Sequence, residues 1–336
     1  MKKILITGGS GFIGTNLIEK LLENKDCNIL SIDIAAPKKY THNTLWKGID
    51  IRDKVTLFQT VSDFNPEIVI HLAARTDLSG KNLYEYDSNT DGVRNLIESL
   101  NNLKHIGRAI FASSMYVCEP GYIPENFEDY KPHTIYGESK VLTEKIIKAT
   151  KMNFTWAIIR PTSIWGPWFG EPYANFFDIV LSGKYFHMGA KACSKTYGYV
   201  DNTVFQILRL MNVPPEKITK RIFYLGDSPA YNISEWADEI AEHIGKKIFT
   251  IPFGIFRIAA YGGDILKLFG INFPMTSFRL KNMTTDNIHD LSPINDIAPL
   301  LPISRKEGIR TTIDWLKKVK ESKRTLGKEL LNAEKK

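Results

Sequence analysis

One eight-residue run, Thr7-Gly8-Gly9-Ser10-Gly11-Phe12-Ile13-Gly14, constrains this chain more than any other feature. It stands between a short apolar run, Ile4–Ile6, and a segment through Thr15–Glu23. Ile13, Leu17 and Leu21 recur there every four residues, the spacing of a helix with one buried face. The run is therefore a strand-to-helix turn. Glycines at 8, 11 and 14 permit a tight turn, close backbone approach to a pyrophosphate, and close packing of helix on strand. The first N–H groups of the helix and its positive dipole end would face that pyrophosphate. Asp33 stands 19 residues past Gly14, at the end of a second strand, Asn28–Ile32. A carboxylate there accepts from the ribose hydroxyls and repels a 2′-phosphate, which favours NAD over NADP. Lys38 and Lys39, close behind, would soften that repulsion.

The alternation continues downstream. Asp53–Phe64 reads as helix, Glu67–Leu72 as a buried strand, Ser88–Leu100 as helix and Arg108–Ser113 as strand. Ile135–Ala149 is a long helix leading into the strand Trp156–Arg160. Strand and helix alternating at this spacing predict an α/β fold, a Rossmann-like doubly wound parallel sheet. Past Arg160 the regularity fails. Pro161, Gly166, Pro167, Gly170 and Pro172 punctuate an aromatic loop, and later helices (Asn202–Met211, Glu235–Ile244, Ile309–Lys320) are separated by irregular segments. The expected division is a dinucleotide-binding domain over 1–161, with a later strand and helix near 196–226 returning to it. Residues 162–195 and 227–316 would form a smaller α/β substrate lobe, and 317–336 a basic tail.

The helix beginning near 135 carries the chemistry. Tyr136-Gly137-Glu138-Ser139-Lys140 places Tyr136 and Lys140 four apart, on one helix face. A phenol ionises near pH ~10, and a neighbouring ammonium lowers that value, so Tyr136 is expected to shuttle a proton. Phe111-Ala112-Ser113-Ser114 ends a strand with two hydroxyls at the sheet's carboxyl edge, where ligands bind in open α/β sheets. One hydroxyl would hold a substrate oxygen while Tyr136 moves its proton.

These motifs stand in an order that resembles the extended short-chain dehydrogenase/reductase family, in its NAD-dependent epimerase/dehydratase branch. The further matches are Asp50-Ile51-Arg52-Asp53, His71-Leu72-Ala73-Ala74, and Asn89 with Gly92, Asn95 and Leu96. Ser113-Ser114, Arg160-Pro161, Gly166-Pro167 and Tyr199-Val200-Asp201-Asn202 complete the series. The resemblance implies a catalytic Ser114, Tyr136 and Lys140, with Lys140 also on the nicotinamide ribose. It implies cofactor contacts from Gly8, Gly11, Phe12, Ile13, Gly14, Asp33, Asp50, Ile51, Leu72, Ala73, Ala74, Asn89, Ser113 and Pro161. Asp50 and Ile51 would meet the adenine, and Pro161 the nicotinamide carboxamide.

Departures from the family pattern narrow the reaction. The 4,6-dehydratases that the chain resembles carry Asp-Glu after the catalytic hydroxyl, where Met115-Tyr116 stand here. Epimerases that work through a keto-sugar and then reduce it carry a Cys after the second Ser. Met115 holds that position, and Cys118 reads as a small core residue. Transient oxidation remains, as in 4-epimerisation of a nucleotide-sugar, or plain dehydrogenation or reduction. Ser163 takes the place of a phosphate-contacting Asn, and Lys195 that of a diphosphate-gripping Arg. Arg75, with Lys81, is a further substrate contact to test. The alternative is a reductase of an apolar alcohol or ketone, similar to the hydroxysteroid and dihydroflavonol branches. It rests on the apolar stretch Ile248–Phe273 with Pro274 and Met275, either a greasy entrance or a core helix. A non-enzymatic dinucleotide sensor is a third reading, weakened by the presence of both Tyr136 and Lys140.

Composition bounds the partners. Residues 317–336 hold eight basic against three acidic side chains, and so carry +5 of the formal +7. Nucleic acid is therefore not an expected partner. No apolar run has the roughly 20 residues of a spanning helix, so no membrane partner is expected either. Three widely spaced cysteines, Cys27, Cys118 and Cys193, predict a reduced, cytoplasmic protein, and no residue cluster has metal-ligand spacing. Trp165, Trp168, Phe169, Tyr173, Phe176 and Phe177 read as core between lobes rather than a nucleobase wall, and His71 and His187 as structural. The family commonly dimerises through the helices that correspond to Ser88–Leu100 and Ile135–Ala149, so a homodimer is expected.

Overall fold

A computed structural model describes the chain except residues 24–25, 190–192, 272, 274 and 334–336. Pro274 of the apolar stretch and Lys335 and Lys336 of the basic tail thus lie outside the described residues, and of Lys323, Arg324 and Lys328 only the backbone is described. The first half runs β1 (Lys2–Thr7), α1 (Phe12–Leu22), β2 (Cys27–Asp33), β3 (Trp46–Gly48), α2 (Lys54–Phe64) and β4 (Ile68–His71). It continues with α3 (Asp87–Asn101), β5 (Arg108–Ala112), α4 (Ile135–Ala149) and β6 (Thr155–Pro161). There follow β7 (Ser163–Trp165), α5 (Tyr173–Leu181), β8 (Ser194–Lys195), β9 (Tyr197–Tyr199), α6 (Val200–Asn212), β10 (Arg221–Leu225) and β11 (Tyr231–Asn232). The C-terminal helices are α7 (Ile233–Glu242), α8 (Phe253–Leu268), α9 (Ser277–Thr284), α10 (Ser292–Asn295) and α11 (Arg305–Ala333).

Seven strands form one sheet in the order β3-β2-β1-β4-β5-β6-β10, and every neighbouring pair is parallel. Apart from the exposed edge strand β3, the strands are short, largely apolar and mostly buried, as parallel sheets require. Alternate residues of β1 serve two cores. Ile4 and Ile6 pack with Leu17 and Ile18 of α1 and Val204 and Ile207 of α6. Leu5 packs on the other face with Leu57 and Val61 of α2 and Val93 and Leu96 of α3. Truncating any of these to alanine costs about 2–5 kcal/mol. Chain order reverses between β1 and β4, and that point opens the ligand crevice of doubly wound sheets.

Helix ends follow local chemistry. Asp53 caps α2, its Oδ1 accepting from Thr56 N at 3.1 Å, and Asn65 ends the helix in a left-handed turn at φ 49°. Thr134 caps α4 by accepting from Gly137 N at 3.0 Å. The second half builds two small sheets, β7 with β9 in parallel and β8 with β11 antiparallel. Between them and α7 the aromatic cluster closes. Trp165 and Phe177 are fully buried against Trp236, and Phe169 against Trp315. Cys118 packs with Val117 and Val141, as a core residue should.

Candidate active site

The glycine run folds as a tight turn into α1. Gly8 adopts φ 78°, and a Cβ there would meet Ala73 N at 2.5 Å. A Cβ on Gly14 would meet Gly8 O at 2.3 Å, so α1 approaches the turn as only glycine allows. Gly11 is the N-cap, with no side chain to bond the first N–H groups and no acid in the first turn. Those donors remain available for phosphate, with Phe12 and Ile13 opening the helix. Asp33 ends β2, and its carboxylate accepts from Ser10 N and Ala35 N, each at 3.0 Å. That anchoring holds the carboxylate at the rim of the glycine turn. Lys39 pairs with Glu19, and Lys38 donates to the carbonyl of Trp168 at 3.1 Å. Neither lysine therefore pairs with Asp33 in this geometry, and the preference for NAD stands. Uncapped donors and a carboxylate at the rim of the turn fit a dinucleotide.

The adjoining loops complete that crevice. Asp50 is chelated by Arg52 at 2.5–3.0 Å, which holds its carboxyl below the usual range. Ile51 presses on Gly92 so closely that a Cβ there would meet its Cδ1 at 2.6 Å. Asn95 Nδ2 donates to the carbonyls of Ile51 and Arg52, tying this loop to α3. Leu72, Ala73 and Ala74 leave β4 alongside Thr7, whose backbone O accepts from Leu72 N and whose Oγ1 accepts from Ala73 N. His71 Nδ1 lies 2.7 Å from the same Thr7 hydroxyl, and burial pulls its pKa to about 3. A neutral, fully buried imidazole is suited to bracing rather than acid–base work.

Asn89 is fully buried, and its whole amide is engaged by the protein. Oδ1 accepts from Arg75 N at 2.8 Å, while Nδ2 donates to Arg75 O and to Ser139 Oγ on α4. It therefore fastens the loop after Ala74 to the helix that carries Tyr136. Thr143 adds a second link by donating to Asn89 O at 2.5 Å. Arg75 pairs with Asp77 and Glu85 and lies 5.0 Å from the Tyr86 ring centroid, so its guanidinium is already engaged.

Tyr136, Lys140, Ser113 and Ser114 converge at the carboxyl edge of β5, all buried. Lys140 Nζ donates to Ala112 O at 3.0 Å, and burial pulls its pKa to about 8. Burial pushes Tyr136 up to about 12, while a hydrogen bond with Ser114 pulls the other way. The expectation that Lys140 lowers the phenol's pKa is not met here, because the ammonium is committed to the Ala112 carbonyl and desolvation dominates. Tyr116 and Tyr86 pack on the Tyr136 ring with centroids 5.8 and 6.2 Å away. Ser114 accepts from Tyr116 N at 3.2 Å, which aims its hydroxyl from the turn after β5. Ser113 Oγ is buried without a protein partner, which leaves one donor and acceptor unused at this edge.

Behind α4 lies a fully buried ion pair. Arg160 Nε donates to Glu144 Oε1 at 2.8 Å, and the guanidinium also reaches Tyr224 OH and Phe127 O. It locks α4 to β6, whose last residue, Pro161, ends the strand beside Leu225.

On the far side Ser163 is buried, and its hydroxyl lies 3.9 Å from Met115 Sδ. Asn287 Nδ2 approaches the same sulfur at 3.8 Å, and Asn287 Oδ1 accepts from Gly121 N. Lys195 bridges to Asn287 in backbone pairing, with Nζ donating to Asn282 O at 2.7 Å. Sequence reasoning missed Asn287, since it stands in no motif and lies 172 positions along the chain from Met115. Among the described residues no cluster of His, Cys, Asp or Glu is arranged to hold a metal ion.

A glycine turn, Asp33 anchored at its rim and a buried Ser-Tyr-Lys group at one sheet edge are the features of a nicotinamide-linked Rossmann-fold enzyme. More narrowly, the chain belongs to the NAD dependent epimerase/dehydratase family, whose sequence profile matches residues 4–226. It is 28% identical to an N-acetyl-alpha-D-glucosaminyl-diphospho-ditrans,octacis-undecaprenol 4-epimerase of Escherichia coli O157:H7, over 93% of this chain and 94% of the relative. It is 23% identical to a decarboxylating sterol-4-alpha-carboxylate 3-dehydrogenase of Schizosaccharomyces pombe, over 94% and 98%. In fold it is similar to a UDP-glucose 4-epimerase of Thermotoga maritima solved with UDP-glucose, with TM-score 0.73 and 22% identity over 94% and 99% of the two chains.

Proposed function

We propose that this protein is an NAD-dependent 4-epimerase of a sugar carried on a diphosphate, with nucleotide-sugars the first substrates to test. The observation that carries the reading is the buried Ser114–Tyr136–Lys140 group beside an uncapped, glycine-bounded helix N-terminus. The 4-epimerase relative and the UDP-glucose 4-epimerase likeness support it. The apolar alcohol or ketone alternative has a sterol relative, but at lower identity, 23% against 28%.

NAD, when bound, supplies the hydride acceptor and donor. Ser114 holds the sugar oxygen, and Tyr136 takes its proton and later returns it. The phenol is the resting form, so Lys140 has to turn from Ala112 O toward the phenol edge and the ribose for Tyr136 to act as base. Met115 carries no acid or base, so the keto sugar meets no group for elimination. Ser163 and Lys195 are assigned to the substrate's phosphate side. Cofactor binding is assigned to 1–161 with 196–226, and substrate binding to 162–195 and 227–316. Three free cysteines suit a reducing, cytoplasmic compartment. A homodimer through α3 and α4 completes the assignment, and light scattering at micromolar concentration would detect it as a doubled mass.

The test is incubation of the holoenzyme with UDP-, GDP- and dTDP-sugars, with C4 epimers read by NMR. Inverted C4 configuration without net NADH is expected. Turnover of hydrophobic ketones with stoichiometric NADH oxidation, and no epimer from any sugar, would replace this reading with the alternative.

A further inference from the structure

Helix α8 has its side chains arranged the wrong way round for a helix in water. Its buried positions are the small ones, Ala260 and Gly263, and a Cβ on Gly263 would collide with Met275 O. Most of its exposed positions are large and apolar, Ile255, Ile258, Tyr261, Ile265 and Leu268, with Phe269 just past its end. The five within the helix recur at intervals of three and four and so share one helix face. Ile258 is 73% exposed, Leu268 84% and Phe269 77%. Phe249, Ile271 and Phe278 extend the exposed apolar surface beyond the helix. A helix packed on a soluble protein turns its large apolar residues inward, and an exposed apolar surface of this extent marks a contact face. The sequence alone left this stretch as an entrance or a core helix. Its outward face fits neither a core helix nor solvent.

Charge decides what covers it. Lys246, Lys247, Arg257, Lys267, Arg279 and Lys281 flank or interrupt the stretch, against the single acid Asp264, whose carboxylate accepts from Ser277 N. Between Lys246 and Asn282 the balance is six basic to one acidic. A second copy would set these like charges against each other, whereas an anionic headgroup layer neutralises them. A helix with a large apolar face and basic flanks lies in the plane of a membrane surface. Among the described residues no helix is long and apolar enough to cross a membrane, so the contact is lateral.

We propose that α8, flanked by these basic residues, docks the enzyme on the surface of an anionic lipid bilayer. The apolar face enters the acyl boundary, and the lysines and arginines meet the headgroups. This inference does not depend on the proposed reaction, and it departs from the expectation that there is no membrane partner.

The test is flotation of the full chain, loaded with NAD, on vesicles of phosphatidylcholine with phosphatidylglycerol and on phosphatidylcholine alone. The protein is expected to float with the anionic vesicles, less with the neutral ones, and progressively less as salt is raised. Ile258→Glu with Leu268→Glu should lower the floating fraction by about tenfold or more while NAD binding is kept. Arg257→Glu with Lys267→Glu leaves the apolar face intact and should remove the preference for anionic vesicles. That second variant also answers the question if the first fails to fold. Wild-type protein remaining in the dense fraction, or variants that float as it does, would overturn the proposal. So would a lipid-free dimer, seen by sedimentation velocity, that the apolar variant alone breaks, because the face would then belong to a second copy.

Discussion

The two sides of the turn after β5 are built on different principles. On the side of the glycine turn most polar groups are fixed by regular structure or by near neighbours, while the first N–H groups of α1 have no side-chain cap and Ser113 Oγ has no protein partner. Asp33 takes two backbone N–H groups, Asn89 spends its whole amide on one loop and one helix, and Thr7 braces both His71 and Ala73. On the other side Ser163, Lys195 and Asn287 come from separate segments: Ser163 and Asn287 approach Met115 Sδ, and Lys195 pairs with Asn287 through the backbone. The first arrangement is held rigidly by the central sheet and its helices. The second is assembled from loops and small sheets, and its contacts can change without disturbing the central sheet.

That contrast orders the effects of substitution. Tyr136→Phe removes the proton shuttle from the rigid side, so kcat should fall about 10²–10⁴-fold with NAD affinity, by calorimetry, unchanged. Retained turnover would move catalysis away from this side altogether. Glu144→Leu leaves Arg160 buried without its partner and should cost about 3–5 kcal/mol in urea unfolding. Pairing it with Arg160→Met should recover much of that loss, and failure to recover would mean that the Tyr224 and Phe127 contacts matter more than the charge.

Asp227 tests the seam between the two sides. It accepts from Tyr199 N, Asn202 Nδ2 and Tyr231 OH, and burial raises its pKa to about 6. The folded chain thus keeps a proton that the unfolded chain releases near pH ~4. This group's stabilisation is full below about pH 4 and is lost as pH rises through about 6. Asp227→Asn should therefore gain on the wild type by about 2 kcal/mol between pH ~4 and ~7. Thermal melts across that range would show it, and a constant gap would mean that the carboxyl is ionised throughout. The smallest effect belongs to the loop-built side. Lys195→Ala should raise KM about tenfold with little change in kcat, and Lys195→Arg should restore it. A fall in kcat instead would bring Lys195 into the reacting centre.

The cofactor half was legible because its signals are local. The Thr7–Gly14 turn, the acid at 33 and the Tyr136–Lys140 spacing each lie within a few residues of the elements that position them. The helix Ile135–Ala149 was readable to the residue. Past Arg160 the same reasoning found helices but missed Asn287, because its partners are distant in sequence. The pKa of Tyr136 was misjudged for a related reason. The i, i+4 spacing says that the two side chains share a face, but the Ala112 carbonyl that engages Lys140 lies 28 residues away.

Local sequence signals carried the parallel sheet and the glycine turn, and they singled out Ser114, Tyr136 and Lys140 as candidates. Backbone periodicity and glycine sterics act over a single turn or strand, so they are written locally. Only the tertiary structure decided which face of α8 is covered, which groups share Met115's surroundings, and how burial sets the acidity of Tyr136 and Asp227. Desolvation and exposure depend on the packing of distant segments, and no spacing within one segment encodes that.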